Sequence, residues 1–246
     1  MRIGIFSDVH ANLEALQAVL SAYQQTQIDR YICLGDTVGY GANPNECCQI
    51  VRDLADLVIL GNHDAACSSR MSTEWFNAAA RVAVEGHQHM LDNAHMSWLA
   101  QLPYRIELDD MLLCHGSPYQ QEEFPYILDE ADVEAIVQHG STYQSLIFVG
   151  HTHRATAFIF REQPVLRIWE EPHTTIQILP DHRYVFNVGS VGQPRDGDWR
   201  ASYGIFDTEA RSFELRRAEY DVDTASEKIV RLGFPLTLSE RLFLGV

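Results

Sequence analysis

The sequence predicts a mixed α/β chain, α+β in its later part, built as two packed β-sheets flanked by helices. Three observations carry that expectation. Short apolar runs alternate with helical stripes through the first half of the chain. After His153 the pattern changes to a succession of short strands with turn-like joins. No repeat, low-complexity tract or linker interrupts the 246 residues, so residues 1–246 read as a single domain, with 71–101 as a helical insert.

Each element has its own warrant. Arg2 to Phe6 is a compact apolar run, and Leu13, Leu16, Leu20 and Tyr23 then recur at helical spacing, so a βα unit opens the chain. Tyr31 to Leu34 is the next strand. Beyond it Asn43 stands at an N-cap, Pro44 at the first helical position and Glu46 where a capping box would close. Leu57 to Leu60 is the third strand, followed by helical material from Thr73 to Gln101. Tyr104 to Leu108 and Met111 to Cys114 flank Asp109-Asp110 as a hairpin. Ala131 to Val137 is helical, and Leu146 to Val149 is a buried strand. The later strands are Thr156 to Arg161, Val165 to Glu170, Ile176 to Leu179, Tyr184 to Val188, Ser202 to Asp207 and Phe213 to Tyr220. A helix from Thr224 to Leu232 and a short tail from Ser239 close the chain.

Composition removes several function classes. Hydrophobic residues at 46% and charged residues at 21% are ordinary globular values. No stretch approaches the roughly 20 apolar residues of a membrane helix, and the first residues turn polar too soon for a signal peptide, so a cytoplasmic location is expected with no membrane partner. A net charge of −16 opposes extended nucleic-acid binding, which needs clustered Lys and Arg. Lys228 lies outside any glycine-rich loop, which removes a P-loop nucleotide site. The 5 cysteines form no C-x-x-C pair and read as reduced core thiols.

The chemistry is concentrated where strands end. Phe6 is followed by Ser7-Asp8-Val9-His10, Leu34 by Gly35-Asp36, and Leu60 by Gly61-Asn62-His63-Asp64. Cys114 is followed by His115-Gly116, and Val149 by Gly150-His151-Thr152-His153. Taken alone, Gly61-Asn62-His63-Asp64 is a plausible turn. Together the five segments deliver Asp, Asn and His to the carboxyl ends of strands, where open α/β sheets form their ligand crevice. Asp8 and Asp36 offer anionic oxygens, Asn62 a neutral oxygen, and His10, His115, His151 and His153 imidazole nitrogens. That set suits first-row divalent ions and is too large for one zinc-like ion, which takes about four ligands. Two ions bridged by one carboxylate fit it, with Asp36 as the chosen bridge. Such pairs sit roughly 3.5–4 Å apart and lower the pKa of a bridging water to about 7. Two divalent ions and two aspartates leave the site positive within an acidic protein, so phosphate esters are the expected substrates.

These residues resemble the motif set of the calcineurin-like metallophosphoesterases: Asp8-x-His10, Gly35-Asp36, Gly61-Asn62-His63-Asp64, His115-Gly116 and Gly150-His151-x-His153. Asn187-Val188-Gly189-Ser190 is similar to a turn that small bacterial and archaeal members write Asn-Pro-Gly-Ser, with Val188 in place of proline. The stretches "GDTVGYGANPNE" and "QPRDGDWRASYGIFD" are similar to the compact phosphodiesterase branch. The resemblance implies a four-layer αββα sandwich of two mixed β-sheets. It assigns Asp8, His10, Asp36 and His153 to one metal, and Asp36, Asn62, His115 and His151 to the other. Manganese is the first choice, with iron, zinc, nickel or cobalt as alternatives. His63 is then the acid for the leaving oxygen, with Asp64 orienting its ring, while a metal-bridging hydroxide attacks in line. Asn12, Gly41 and Arg195 are candidate phosphate contacts, although Arg195 could equally pair with Asp196 or Asp198.

The expected activity is hydrolysis of a phosphodiester in a small, nucleotide-like substrate. A protein phosphatase or diadenosine-tetraphosphate hydrolase of the same fold is the alternative, and a non-catalytic metal-binding scaffold is the alternative of another class. A scaffold should have eroded ligands, and here every ligand is present. His87, His89 and His95 are expected as exposed helix residues. Tyr119, Phe124 and Tyr126 could stack a nucleobase or pack as core and rim. The acidic Gln121-Glu122-Glu123 and Asp129-Glu130 are expected on a solvated face or helix start. Oligomeric state leaves no mark in the sequence.

Overall fold

A computed structural model describes residues 1–139, 144–161, 164–168 and 175–246. The opening βα units are β1 (Arg2–Phe6) with α1 (Leu13–Gln24), and β2 (Arg30–Cys33) with α2 (Pro44–Leu54). Next come β3 (Leu57–Val58), α3 (Asn62–Cys67), α4 (Ala78–Met90) and α5 (Asn93–Leu99). The hairpin is β4 (Arg105–Leu108) and β5 (Met111–Cys114), followed by α6 (Glu130–His139) and β6 (Leu146–Val149). The rest runs β7 (Thr156–Phe160), β8 (Leu166–Arg167), β9 (Thr175–Gln177), β10 (Arg183–Asn187), β11 (Ala201–Asp207), β12 (Ser212–Ala218), α7 (Val222–Arg231) and α8 (Leu236–Leu244). The end of the strand expected to reach Glu170 lies outside the described residues.

The strands form two mixed sheets of six, ordered β3-β2-β1-β11-β12-β9 and β4-β5-β6-β10-β7-β8. Strands β3, β2 and β1 are parallel, as are β5, β6 and β10, and the remaining neighbours are antiparallel. The inner faces meet in a buried layer that includes Ile3, Ile5, Phe148, Phe186, Phe206 and Phe213. On the outside of the first sheet, α1 and α7 pack on Phe6, Tyr203 and Ile205. Val133 and Ile136 of α6 cover Ile147, Val149 and Val185 on the outside of the second. Helix, sheet, sheet and helix therefore stack as four layers. Both parallel sets point their carboxyl ends at the same edge, because the loop after β1 interlocks there with those after β10 and β6: Val191 N donates to Ser7 O and His151 N to Asp8 Oδ2. No helix among the described residues is long and apolar enough to cross a membrane.

Several local expectations need correction. The strand expected over Leu57 to Leu60 is in register with β2 at Leu57 and Val58, and Ile59 N still donates to Cys33 O, but Leu60 N leaves the ladder for Pro103 O. Gly61-Asn62-His63-Asp64 is the start of helix α3, with Gly61 as its N-cap, rather than a chain reversal. Asn43 precedes α2 without capping it. Its Oδ1 accepts from Lys228 Nζ at 3.2 Å, and its Nδ2 donates to Glu46 at 2.9 Å, so both residues of the expected capping box are spent on each other. The tail from Ser239 is helical, within α8. Of the three helix histidines only His89 is exposed; His87 is buried on α4 and His95 on α5.

Candidate metal centre and its cleft

Every one of Asp8, His10, Asp36, His63, Asp64, His115, His151 and His153 is buried, although all are polar. Burying so many polar groups is costly unless each finds a partner. The loops that hold them are unusual as well. Asp8 (φ 54°), His10 (49°), Asp36 (53°), His151 (67°) and His153 (59°) all occupy left-handed backbone. Non-glycine residues rarely adopt it, and clusters of such residues mark sites where geometry is paid for by function. Gly61 is required beside them: a Cβ there would overlap the Asp36 carboxylate.

The outer ring nitrogens fix which atoms face inward. His10 Nδ1 lies 2.9 Å from Val38 O, His115 Nδ1 2.7 Å from Leu34 O, and His153 Nδ1 2.6 Å from Gln193 O. A carbonyl only accepts, so each Nδ1 carries the hydrogen and each neutral ring presents a bare Nε2 lone pair. The Nε2 atoms of His10 and His153 then face each other at 3.0 Å. Two lone pairs at that distance call for a cation between them.

The carboxylates are divided in the same manner. Asp8 Oδ2 accepts from His151 N at 3.0 Å, and Asp36 Oδ1 from His63 N at 2.8 Å. Their other oxygens turn inward: Asp8 Oδ1 is 3.2 Å from His153 Nε2, and Asp36 Oδ2 is 3.2 Å from His115 Nε2 and 3.6 Å from His10 Nε2. Asp8 Oδ1, Asp36 Oδ2, Asn62 Oδ1 and His115 Nε2 are buried with no hydrogen-bond partner. Each such orphan costs about 1–3 kcal/mol, so four in one place need a common explanation. Divalent cations supply it, since hard oxygens and imidazole nitrogens are their ligands. Ligand atoms of Asp8, His10 and His153 lie within 4.8 Å of one another, as do those of Asp36, His115 and His151, and those of His10, Asp36 and His63. The residues present therefore fit divalent metal.

The electrostatics agree. Burial opposes charge on Asp8 and Asp36, but the imidazoles beside them, His153 and His115 at Asp8 and His115 and His63 at Asp36, hold both below the usual carboxylate range. Burial works against the His115 imidazolium, and the charges of Asp36 and Asp8 overcome it, pushing its pKa up to about 9, so a proton competes with a metal ion for its Nε2. Burial pushes His151 and His153 down to about 3, and it also holds His63 well below its ordinary value. Asp64 is pushed up to about 8, by burial first and by the charge of Asp36 second.

Several of the predicted site residues have hydrogen-bond partners of their own. Asp64 does not touch the His63 ring: its Oδ1 accepts from Val38 N and its Oδ2 from Gly61 N, both at 3.2 Å, while His63 Nδ1 has no partner. Asp64 thus fixes the backbone on either side of the site. Asn12 is spent too, with Oδ1 capping α1 through Ala15 N at 3.1 Å and Nδ2 donating to Gly192 O at 2.9 Å. Gly41 N donates to His10 O, and Gly41 O lies 2.9 Å from His87 Nε2, so neither atom is free for a phosphate. Arg195 pairs with neither Asp196 nor Asp198. Its guanidinium lies over the Tyr40 ring and donates to Tyr40 Oη at 3.2 Å and Gln193 Oε1 at 3.1 Å. Asp196 is held by Arg217, and Asp198 by Arg200 at 2.7 Å.

Tyr40 is the residue that sequence reasoning missed. Buried at φ 61°, its ring packs 4.5 Å from both His10 and His63. Its position in "GDTVGYGAN", between two glycines, was the available signal. The aromatic residues after Gly116 divide: Phe124 is buried, Tyr119 stacks on His139 at 4.3 Å, and Tyr126 stacks on His151 at 4.1 Å. Tyr126 therefore reaches the site. Beside it opens a cleft of about 200 Å³, whose walls include Asn62, His63, Trp75, Phe76, Glu123 and Tyr126.

An αββα sandwich with buried Asp, Asn and His converging at one sheet edge defines the class as a metallohydrolase fold. The chain belongs to the calcineurin-like phosphoesterase superfamily, whose domain model matches residues 1–211. It is 40% identical over 247 aligned residues to the uncharacterized protein MJ0912 of Methanocaldococcus jannaschii, covering 99% of this chain and 98% of that one. The crystal structure of a metallophosphoesterase from Sphaerobacter thermophilus superposes with a TM-score of 0.85 at 38% identity, covering 100% of this chain and 99% of that one. The fold also matches the hypothetical protein PH1004 of Pyrococcus horikoshii OT3, with a TM-score of 0.80 at 17% identity over 100% and 98% of the two chains.

Proposed function

We propose that the protein is a dinuclear metal-dependent phosphoesterase that hydrolyses phosphodiesters of small, nucleotide-like substrates. The observation that carries this reading is the convergence of four buried, partnerless ligand atoms, Asp8 Oδ1, Asp36 Oδ2, Asn62 Oδ1 and His115 Nε2, among imidazoles whose lone pairs point the same way. Asp8, His10, Asp36 and His153 would hold one ion, and Asp36, Asn62, His115 and His151 the other, with manganese the preferred metal. Bound there, the ions supply Lewis acidity and an activated water at neutral pH.

The protein's own residues do the rest. Val38, Leu34 and Gln193 hold three imidazoles in the tautomer that leaves Nε2 bare. His63 lines the cleft with its Nδ1 buried against Gly39, so Nε2 is the nitrogen left to face the leaving oxygen; burial disfavours its imidazolium, and the negative charge of a bound phosphoryl group would favour it, so the proton would be delivered with substrate in place. Arg195, held by Tyr40 and Gln193, supplies the nearby positive charge that a phosphoryl group requires.

The test is to purify the protein, measure its metal content, and assay p-nitrophenyl phosphate, its bis-ester and dinucleoside polyphosphates with added Mn²⁺. Bound metal and Mn²⁺-stimulated turnover, higher on the bis-ester, are expected. Absence of both would sink the reading, whereas bound metal without turnover would leave a metal-binding scaffold. His63→Ala should keep the metal and lose roughly 10²–10⁴ in kcat. Asp36→Ala should lose metal as well, and an empty site in His63→Ala would overturn the role given to His63.

A further inference from the structure

The cleft beside His63 has a composition that the phosphoesterase reading does not itself explain. Trp75 is 87% exposed and Tyr126 is 49% exposed, and both line it. A fully exposed indole forgoes the burial that usually stabilises it, roughly 25 cal/mol for each Å² of apolar surface. Tyr126 is held flat, 6° from parallel with the His151 ring beneath it, so its outer face is a preformed platform. Phe76 stands edge-on to His63, 76° between planes at 4.9 Å, which closes the inner end with an apolar wall.

The charge of the lining is equally selective. Among the described residues that line it, the cleft carries one carboxylate, Glu123, and neither lysine nor arginine. Arg195 lies over Tyr40 and is not part of the lining. Beyond the proposed ion that Asn62 and His151 would hold at its inner end, a second phosphate in this cleft would meet no cationic side chain and one anion. A planar, uncharged group would meet two aromatic faces and a hydrogen-bond acceptor.

We propose that this cleft is the subsite for the leaving arm of the substrate, and that the arm is an uncharged nucleoside whose base stacks on Trp75 and Tyr126. Glu123 accepts a hydrogen bond from the base edge or the sugar hydroxyls and rejects further phosphates. The inference rests on the phosphoesterase reading for its orientation, because His63 lies on the same wall and protonates the oxygen that leaves. It separates the rivals within that reading: nucleoside esters bearing one phosphoryl group are favoured, and dinucleoside polyphosphates are excluded from this side of the site.

Two measurements test it together. In metal-free protein, adenosine should quench tryptophan fluorescence and ribose should not, and Trp75→Phe should lose the quenching. In Mn²⁺-loaded protein, kcat/KM for adenosine 5′-phosphate and its methyl ester should exceed that for ribose 5-phosphate and its methyl ester, which leave through the same primary alcohol. Trp75→Ala should lower that ratio about tenfold, the scale of one lost base–aromatic stack, and Trp75→Phe should restore most of it. Glu123→Gln should narrow the preference for adenosine 5′-phosphate over adenosine 5′-diphosphate. Equal quenching by adenosine and ribose, or an unchanged ratio in Trp75→Ala, overturns the subsite. Adenosine-specific quenching without hydrolysis of any ester would instead overturn the phosphoesterase reading and leave the subsite standing.

Discussion

Asn12 and Asp64 show how a polar side chain beside a candidate metal centre can belong to the backbone rather than to the substrate. Both of Asn12's polar atoms are committed, one to the first turn of α1 and one to Gly192 O. Asn12→Ala should therefore lower the thermal midpoint, with a loss of about 1–2 kcal/mol for the cap, while KM stays where it was. Equilibrium denaturation beside steady-state kinetics checks both halves. Gly39 poses the opposite case, because at φ +97° its missing Cβ leaves room for the His63 ring. Gly39→Ala should cost activity far more than stability, since it pushes the ring out of the cleft wall. The buried Asp and His side chains proposed to bind metal stood out in the sequence because their types follow apolar runs. The partners of Asn12, Gly41, Asp64 and Arg195 did not, because residue type does not reveal which polar atoms other parts of the chain have already satisfied.

Among the elements, α4 has the least obvious role. Its His87 is fully buried, 2.9 Å from Gly39 N through Nδ1 and 2.9 Å from Gly41 O through Nε2. One neutral ring therefore accepts from one side of Tyr40 and donates to the other, holding the loop whose tyrosine packs on His10 and His63. The Phe234 ring packs 5.7 Å away and supports it from behind. His87→Ala should lower activity roughly ten- to hundredfold, as losses of such supporting residues do, and His87→Gln, whose amide can both accept and donate, should recover part of it. The sign of the pH effect follows from burial, which pushes His87 down to about 4. Between the ordinary value near 6.5 and about 4 the unfolded chain binds the proton and the folded one does not, so stability falls as pH is lowered through that window. His87→Gln should flatten that part of the profile relative to the parent protein. Helical periodicity placed α4 within the expected helical stretch but could not say which face met the loop, since His87 and Gly39 are joined only by the fold. β3 was overextended for a related reason: an apolar run of four looks like a strand whether its last residue bonds to the sheet or, as Leu60 does, to a loop.

At the scale of the whole molecule, the site exists because strands distant in sequence lie side by side. Strand β1 sits between β2 and β11, so Ile3 pairs with both Arg30 and Phe206. Alternating apolar runs announced strands and helices, and the change from helix-rich to strand-rich announced two packed sheets flanked by helices, but nothing local announced those pairings, and the order of the four layers came with the resemblance of the motifs. The consequence is energetic as well as geometric. The partnerless atoms Asp8 Oδ1 and His115 Nε2 belong to different sheets, so the metal-free fold holds unsatisfied groups at the junction of its two halves. An ion that binds there binds only the folded chain, and at a hundred times its dissociation constant it adds about 2.7 kcal/mol. In a protein of this size 1 kcal/mol moves the midpoint by roughly 2–4 °C. Two such ions should therefore raise the midpoint of chelator-stripped protein by about 10–20 °C, from their combined linkage. Differential scanning calorimetry on stripped and Mn²⁺-reloaded protein measures it. Asp36→Asn should lose most of the shift, because the oxygen proposed to serve both ions is no longer charged. A shift in Asp36→Asn equal to that of the parent would mean that the ions bind elsewhere.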